Sequence, residues 1–321
     1  MKRQKNLYEN TYKLENIFNA FNEICKNTKN KRKVRNYKEY KCIYITRVYN
    51  TLKNRNYVVG PYNIFTIYEP KERRIVSQNM HDKIINHLVS RYILYPSLMP
   101  CLINSNVASR KGMGTKRGLE LAKEFHRVCK VKYNNYYILK CDISKFFASI
   151  DHKILKNKLK KKIKDKEALN IVFSIIDSDE NGLSIGNMSS QVLAIFYLND
   201  LDHFIKEVLK IKYYIRYQDD FLLFHYSKEY LKYCFEQIKL FLEKEKLKLN
   251  GKSRIYTSNN HFLFLGRDKK GNYAKYRDVK RRLKKRIYLY RNGFIPLNSL
   301  LSSTICYHHL CPSKVPEIKD F

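Results

Sequence analysis

Long apolar runs are absent from this 321-residue sequence, and their absence argues against a membrane span. The longest relevant apolar stretch, residues 192–198, falls far short of the roughly 18 residues that a spanning helix requires. The basic residues 1–5 lead into a polar amphipathic segment and not into the apolar region of a secretory signal. We therefore expect a cytoplasmic protein with no membrane partner.

Acidic residues are also few: Asp and Glu total 29 whereas Lys and Arg total 64, so the formal net charge is +35. The basic excess runs along the whole chain, with clusters at residues 29–35, 156–166 and 280–286. A charge of this size favours a polyanionic partner, and nucleic acid more than a membrane surface. A genome rich in A and T explains part of the lysine content, but it does not explain the small number of acidic residues.

Closely spaced cysteine pairs are missing as well, because none of the eight cysteines forms a Cys-x-x-Cys pair. We interpret these thiols as reduced and mostly buried. Cys306 and Cys311 flank His308 and His309, so a zinc site is an alternative there, although a second ligand pair is lacking. The content of 44% hydrophobic and 14% aromatic residues excludes a disordered chain. The length accommodates about two or three folding units.

Hydrophobic periodicity predicts a mixture of helices and strands that do not alternate strictly, which is typical of the α+β class. Helices are predicted over residues 7–27, 82–95, 118–131, 153–166, 191–209 and 235–247, and from residue 278 onward. A strand pair is predicted within residues 58–68, and single strands over residues 136–142, 213–217, 221–226 and 261–266.

Three aspartates stand where predicted strands end. Asp142 closes an apolar strand, and Asp219 and Asp220 lie between two aromatic strands, at the predicted tip of a hairpin. Carboxylates buried beside strands need a positive partner, and Mg²⁺ prefers such hard oxygen ligands. The dipeptide alone is explained as an ordinary turn. Together with Asp142 and the net charge, it indicates a two-metal site for phosphoryl transfer, in which one ion activates a 3′-hydroxyl and the other holds a triphosphate.

Six segments resemble bacterial reverse transcriptases of the group II intron-like kind, and they occur in the family's order. They are DKIINH at residues 82–87, KGMGT at 111–115, KCDISKFFASIDH at 140–152, YQDD at 217–220, NGKS at 250–253 and FLG at 264–266. The resemblance implies a right-hand polymerase with fingers, a palm made of an antiparallel sheet with helices, and a small helical thumb. It places an N-terminal helical and basic region at residues 1–60, fingers at 61–135, palm at 136–265 and thumb at 266–321. Residues 277–291 would then lie along the RNA–DNA hybrid as a basic thumb helix.

The same resemblance implies the catalytic centre. Asp142, Asp219 and Asp220 would be catalytic, and together with Ile143 they would hold two Mg²⁺ ions, with Mn²⁺ as a substitute. Gln218 stands in a position where this family more often has a small or apolar residue.

The resemblance also implies a nucleotide site and a primer grip. The deoxynucleotide-binding residues would be Lys71, Arg73, Arg74, Ser144, Lys145, Phe146, Phe147, Ile185, Gly186, Gln191 and Lys252. The primer grip would be Phe264, Leu265 and Gly266.

Several of these residues carry specific expectations. Phe147 would exclude a 2′-hydroxyl as a steric gate, and the backbone amides of residues 143–147 would cradle the triphosphate. Lys252 would protonate the pyrophosphate leaving group. The alternatives are a core role for Phe147 and a solvated charge for Lys71. The sequence does not choose between the two finger arginines.

Residues 185–191 read IGNMSSQ where most reverse transcriptases have QGxxxSP. This segment resembles the reverse transcriptases of diversity-generating retroelements, which carry an aliphatic residue for the Gln and SQ for SP. Because Ile185 offers no hydrogen bond, the resemblance implies misincorporation opposite template adenines. The alternative is that Ile185 only packs.

The implied partners are an RNA template and its RNA–DNA hybrid, deoxynucleotides, and an oligomer of a small basic accessory protein. An alternative function is a reverse transcriptase of an antiphage defence system that uses a dedicated non-coding RNA. Either protein would be bacterial or phage-encoded. A catalytically silent RNA-binding scaffold is disfavoured, because all three aspartates are present.

Overall fold

Three helices form the N-terminal layer of the structure, a computed structural model that describes residues 6–67, 73–268 and 276–310. They are α1 (Leu14–Asn27), α2 (Lys31–Glu39) and α3 (Lys41–Lys53). In α1, Ile17, Phe21 and Ile24 repeat at the spacing of one helix face, and all three are buried. The single helix predicted over residues 7–27 is therefore present only from Leu14 onward, because the backbone is extended at Lys13, with ψ 126°, and a separate 3-10 turn over Tyr8–Tyr12 precedes it.

A two-stranded hairpin and three helices follow. The strands β1 (Asn63–Ile67) and β2 (Arg73–Ser77) pair antiparallel. The helices are α4 (Met80–Val89), α5 (Tyr95–Leu98) and α6 (Thr115–Tyr133). The prediction of two strands within residues 58–68 is wrong, because the partner of β1 lies after that range. Pro61 has no N–H, and the Gly60 N–H donates to the buried Asp82 carboxylate at 3.0 Å, so this stretch lacks ladder donors.

Four antiparallel strands form the central sheet, in the order β4-β5-β3-β6. They are β3 (Tyr137–Asp142), β4 (Tyr213–Tyr217), β5 (Asp220–His225) and β6 (Arg254–Thr257). Consecutive strand residues point to opposite faces, yet Ile138 and Leu139, and likewise Leu222 and Leu223, are completely buried. The sheet is therefore covered on both faces, which explains why its strands appear as continuous apolar runs.

Six helices surround this sheet and the segments that lead into it. They are α7 (Phe146–Ser149), α8 (His152–Lys162), α9 (Lys166–Asp177), α10 (Met188–Tyr197), α11 (Asn199–His203) and α12 (Lys228–Lys244). The single helix predicted over residues 191–209 is wrong, because the backbone leaves helical geometry at Leu198, with φ −89° and ψ 8°. The chain continues as α11 and a π-helical turn over Phe204–Val208.

The strand predicted over residues 261–266 is also wrong. Among the described residues, only an isolated bridge between Phe264 and Arg267 forms there. Leu265 and Gly266 both have positive φ, at 51° and 77°, so the chain reverses at the position where a strand would have to stay extended.

Two packed helices complete the described chain, α13 (Tyr276–Arg291) and α14 (Leu297–Leu310). The zinc alternative falls outside what the structure describes, because Cys311 and the side chains of residues 306–310 are not among its described parts. Within the described ranges, no helix is both long and apolar enough to cross a membrane.

Candidate active site

The three predicted catalytic aspartates meet at one end of the central sheet. Asp142 is the last residue of β3, and its partner across the ladder is Asp220, the first residue of β5. Tyr217 also pairs with Asp220, so Gln218 and Asp219 form a two-residue hairpin turn. Gln218 has φ 55°, the left-handed geometry that tight hairpin turns require. The hairpin thus presents Asp219 beside the ends of two neighbouring strands.

The electrostatics of this end of the sheet reflect crowded negative charge. Burial raises the pKa of Asp219 to about 6, and the nearby carboxylates of Asp142 and Asp220 act in the same direction. Burial also raises the pKa of Asp220, and the Lys140 ammonium opposes that effect. Carboxylates that are buried and repel one another favour a cation between them.

Lys140 is the cation that the fold itself supplies. It precedes Asp142 by two residues on β3, so its side chain lies on the same face of the sheet. Its Nζ atom lies 2.6 Å from Asp220 Oδ1 and 5.7 Å from the centre of the Phe264 ring. Asp220 is therefore already paired, while Asp142 and Asp219 have no such ammonium partner among the described residues.

The segment at residues 249–253 orients Asp142. Asn250 donates from Nδ2 to Asp142 Oδ2 at 3.0 Å and from its backbone N–H to the Asp142 carbonyl at 2.7 Å. Ser253 Oγ accepts from the Asp142 amide at 3.2 Å. Lys252 lies exposed in this turn, so the structure brings it next to the residues that hold the predicted catalytic carboxylate of Asp142.

The donor set fits a hard divalent cation. Asp142 and Asp219 offer carboxylate oxygens, and the predicted ligand Ile143 follows Asp142 with a backbone carbonyl. In the part of the chain that the structure describes, no three His, Cys, Asp or Glu side chains are gathered tightly enough to hold a metal by themselves. The Asp142–Asp219 pair, with its raised Asp219 pKa, is consequently the feature that fits Mg²⁺.

Arg73 and Arg74, the two arginines predicted to bind the nucleotide, are both exposed on β2, but their charges act on different carboxyl groups. The positive charge of Arg73 lowers the pKa of Asp219, whereas that of Arg74 lowers the pKa of Asp179. Arg73 is therefore the arginine whose charge acts on the catalytic hairpin. Lys71 lies outside the described residues.

The segment after Asp142 is only partly available as a triphosphate cradle. The Ser144 amide donates to the Lys248 carbonyl at 2.9 Å, so it does not take part in the predicted cradle. Lys145 turns the chain with φ 46°. Phe146 is buried and packs edge-on against Phe147, with ring centres 5.7 Å apart. Phe147 is half-buried and packs against the main hydrophobic core.

The segment at residues 185–191 docks on the β1–β2 hairpin. The Ile185 carbonyl accepts from the Val76 amide at 3.0 Å, which attaches the segment to β2. Gly186 has φ 131°, and a Cβ atom there would lie in collision with the Val76 carbonyl oxygen. Glycine is therefore required at this position. The Ile185 side chain is half-buried next to the fingers.

A chain of polar side chains connects Gln191 to the catalytic hairpin. Gln218 donates from Nε2 to Ser109 Oγ at 3.0 Å, and Ser109 Oγ donates to Gln191 Oε1 at 3.3 Å. The sequence offered no reason to single out Ser109. Because the Ser109 hydroxyl hydrogen-bonds both glutamines, it holds Gln191 near the turn that Gln218 and Asp219 form.

The predicted primer-grip residues lie in the turn at residues 264–266. Phe264 is buried, its ring centre lies 5.7 Å from Lys140 Nζ, and the Leu265 backbone lowers the pKa of Asp220. The turn therefore lies next to the end of the sheet that carries the three aspartates, although it is not a strand.

Sequence reasoning missed a buried ion pair behind the hairpin. Arg216 is completely buried and donates from Nε to Asp202 Oδ1 at 2.7 Å and from Nη2 to Asp202 Oδ2 at 2.5 Å. Its Nη1 donates to the Gln218 carbonyl at 2.9 Å, and its Nη2 to the Ile195 carbonyl at 2.9 Å. The guanidinium therefore ties the turn that carries Asp219 to the helices beneath it. The sequence does contain a signal for this pair, an arginine within an apolar strand, because a buried guanidinium requires a carboxylate partner.

Comparisons with known proteins agree with this architecture. Telomerase from Candida tropicalis, in its apo form and truncated from the C-terminal domain, is 16% identical with TM-score 0.52, over 66% of this chain and 54% of that chain. Telomerase from Candida albicans, in complex with the TWJ fragment of telomeric RNA, is 13% identical with TM-score 0.51, over 85% of this chain and 57% of that chain. This chain thus spans little more than half the length of either telomerase chain.

The curated proteins compared with this chain include no significant match. The sequence profile described as "Reverse transcriptase (RNA-dependent DNA polymerase)" matches residues 24–268, which is more than half of the chain. The predicted right-hand polymerase fold and the predicted enzyme class, an RNA-directed DNA polymerase, are thereby confirmed. The chain belongs to the reverse transcriptase (RNA-dependent DNA polymerase) family.

Proposed function

We propose that this chain is the reverse transcriptase of a diversity-generating retroelement, which copies a template-repeat RNA into cDNA with errors opposite adenine. The observation that carries the proposal is the placement of Ile185 and Gln191. Ile185 is fixed against the finger strand β2 through Val76, and Gln191 reaches the catalytic hairpin through Ser109. The two unusual residues of this segment thus flank the site where a nucleotide would meet its template.

In this proposal, the chain's own residues hold and orient the reactants. Reverse transcriptases generally use divalent ions, typically Mg²⁺. Asp142, Asp219 and the Ile143 carbonyl would hold them, and Asp220 stays next to Lys140. The ions would lower the pKa of the primer 3′-hydroxyl and stabilise the leaving pyrophosphate. Arg73 adds a positive charge on the finger side of the carboxylates.

Ile185 has a specific consequence for base selection. Its carbonyl accepts from the Val76 amide, which fixes the position of the Ile185 backbone against β2. An aliphatic side chain provides no hydrogen bond to an incoming nucleotide or its template base. The loss of one polar contact reduces discrimination by about tenfold.

The proposal is tested by sequencing the products of primer extension on a mixed-sequence RNA template with Mg²⁺. For Ile185→Gln we expect about tenfold fewer errors opposite adenine than for the parent, because a hydrogen-bonding group is restored. Ile185→Val is the matched control, since it keeps an aliphatic side chain and the same backbone contact, and its error spectrum should equal the parent's.

An unchanged error spectrum in Ile185→Gln would contradict the role of this residue. Errors spread evenly over all four template bases in the parent would instead favour the second candidate, a reverse transcriptase of an antiphage defence system. On the resemblance alone, we extend the proposal to a cytoplasmic, bacterial or phage-encoded enzyme that works with an oligomeric small basic accessory protein.

A further inference from the structure

A row of five aromatic rings lies at the end of the sheet opposite the catalytic carboxylates. The row, in order of contact, consists of Tyr133, Tyr226, His225, Tyr230 and Tyr233. Successive ring centres are 5.3, 4.4, 4.8 and 5.9 Å apart, with interplanar angles between 27° and 43°. The rings come from three places in the chain, the end of α6, the end of β5 and the first turns of α12. We call this feature the tyrosine row.

The tyrosine row is separate from the polymerase site. His225 pairs with Tyr137 at the beginning of β3, whereas Asp220 pairs with Asp142 at its end. Five residue steps along a strand of about 3.4 Å each place the row roughly 17 Å from the catalytic aspartates.

The row is both exposed and held in place. Tyr226 is 57% exposed and Tyr233 is 52% exposed. The rings between them are fixed: the Tyr230 hydroxyl donates to the Leu209 carbonyl at 2.9 Å, and His225 Nδ1 accepts from the Ser227 amide at 3.0 Å. Single exposed aromatic residues need no explanation, but a contiguous, ordered row presents a stacking surface.

Four exposed lysines lie next to the row, or next to residues that contact it, along the chain. Lys132 places its Nζ 5.2 Å from the Tyr133 ring centre, and Lys228 lies between Tyr226 and Tyr230 in sequence. Lys210 follows Leu209, whose carbonyl accepts from the Tyr230 hydroxyl. Lys212 precedes Tyr213, which pairs with Phe224, the residue before His225. None of these four lysines forms an ion pair with another residue of the described ranges. Two carboxylates on α12 lie close to the row in sequence, and both are paired: Glu229 with Lys232 at 2.9 Å and Glu236 with Lys239 at 2.8 Å.

We propose that the tyrosine row is a second RNA site, which binds a single-stranded RNA segment by stacking its bases on Tyr226 and Tyr233 while the lysines contact its phosphates. Aromatic faces combined with unpaired cations are the features that bind single strands without sequence preference. The partner is single-stranded because a paired helix keeps its base faces stacked internally. This inference goes beyond the proposed function, and it holds whether or not the enzyme mutates adenines.

The test measures binding while the polymerase cleft is occupied. The full-length protein is first saturated with an unlabelled RNA–DNA primer–template, and a fluorescein-labelled 15-nucleotide uridine RNA is then titrated and followed by anisotropy. The Tyr226→Ala/Tyr233→Ala double variant should bind this RNA at least about tenfold more weakly than the parent. The Tyr226→Phe/Tyr233→Phe control keeps both rings, and it should bind within about twofold of the parent. Primer extension on a short template should be unchanged in both variants, which shows that they are folded.

Several results would overturn the proposal. One is equal RNA binding by the parent and the double alanine variant. Another is equally tight binding of a double-stranded RNA of the same length, because a duplex does not offer its base faces. A third is that the parent binds no uridine RNA but self-associates in sedimentation, and that the double alanine variant abolishes the self-association. That result would assign the row to a protein contact.

Discussion

At the scale of single residues, a completely buried charge pair supports the turn that carries Asp219. Arg216 donates to both oxygens of Asp202 and to the Gln218 carbonyl, and the Tyr214 hydroxyl also donates to Asp202 at 2.7 Å. Breaking a buried pair leaves one charge without compensation, which destabilises a fold more than the pair itself stabilises it. The pair therefore affects both the stability of the fold and the position of the turn at Gln218 and Asp219, and the two effects can be measured separately.

Replacing Arg216 with Met should destabilise the protein by about 3–5 kcal/mol, because Asp202 then stays buried and charged without its partner. The double variant Arg216→Met/Asp202→Leu should recover part of this loss, since neither charge remains, while the Tyr214 hydroxyl loses its buried acceptor. Primer extension by the double variant should nevertheless stay below that of the parent, because the Gln218 carbonyl has lost its donor. Urea unfolding and extension rates of the three proteins provide the comparison, and full activity in the double variant would argue against the positioning role.

The Asp219 carboxyl predicts a pH dependence. Its pKa is raised to about 6 by burial and by its neighbouring carboxylates, so below pH 6 it is protonated and loses its attraction for cations. At low Mg²⁺ concentration, the extension rate should fall about tenfold per pH unit below 6. At high Mg²⁺ the inflection should move to lower pH, because bound metal favours the ionised form. If the inflection stays at the same pH at every Mg²⁺ concentration, the group that titrates is not one that binds the metal.

The same group has a consequence for stability without metal. In the unfolded chain this carboxyl ionises near pH 3.8, whereas in the fold it ionises near 6, so its contribution to stability falls as the pH rises between these two values. Asp219→Asn should therefore unfold at higher urea than the parent at pH 7.5, and at nearly the same urea concentration at pH 3.5. A larger difference at pH 3.5 than at pH 7.5 would contradict the raised pKa.

At the scale of elements, apolar patterning predicted three of the four strands of the central sheet, but it missed the edge strand β6 and failed where the chain turns. β3, β4 and β5 are predicted almost residue for residue, because each is a buried run that ends at polar residues. The strand predicted over residues 261–266 fails because positive φ at Leu265 reverses a segment whose composition suits a strand. The break at Leu198 gives no signal in an apolar helix pattern that continues on both sides of it.

The docking of residues 185–191 on β2 depends on Gly186. Gly186→Ala would bring a Cβ atom into collision with the Val76 carbonyl, so we expect at least about a tenfold loss of primer extension as the segment shifts. Gly112→Ala is the matched control. Gly112 also has positive φ, 75°, but a Cβ atom there meets nothing within 4 Å, so only the conformational strain of about 1 kcal/mol is expected. Equal effects of the two substitutions on extension would show that the docking is unimportant.

At the scale of the whole molecule, charge and order of segments predicted the polymerase, while contacts between distant segments did not follow from the sequence. The net charge of +35 and the three aspartates indicated a nucleic-acid enzyme with metal chemistry. The hydrogen bond from Gln218 to Ser109 spans 109 positions of the sequence, and the one from Ser109 to Gln191 spans 82. No local pattern specifies such pairings. The sequence likewise could not distinguish the role of Arg73 from that of Arg74, because the distinction depends on where Asp219 and Asp179 lie in the fold.

The measurement that tests the central claim most directly is RNA-templated primer extension with Mg²⁺ by the parent, Asp142→Ala and Asp219→Ala, with hybrid binding measured on the same samples. The account predicts a DNA product from the parent alone, with hybrid affinity in both variants within about threefold of the parent, because the aspartates hold metal while basic residues hold the backbone. Retained synthesis in either variant, or hybrid binding that disappears together with activity, would contradict it.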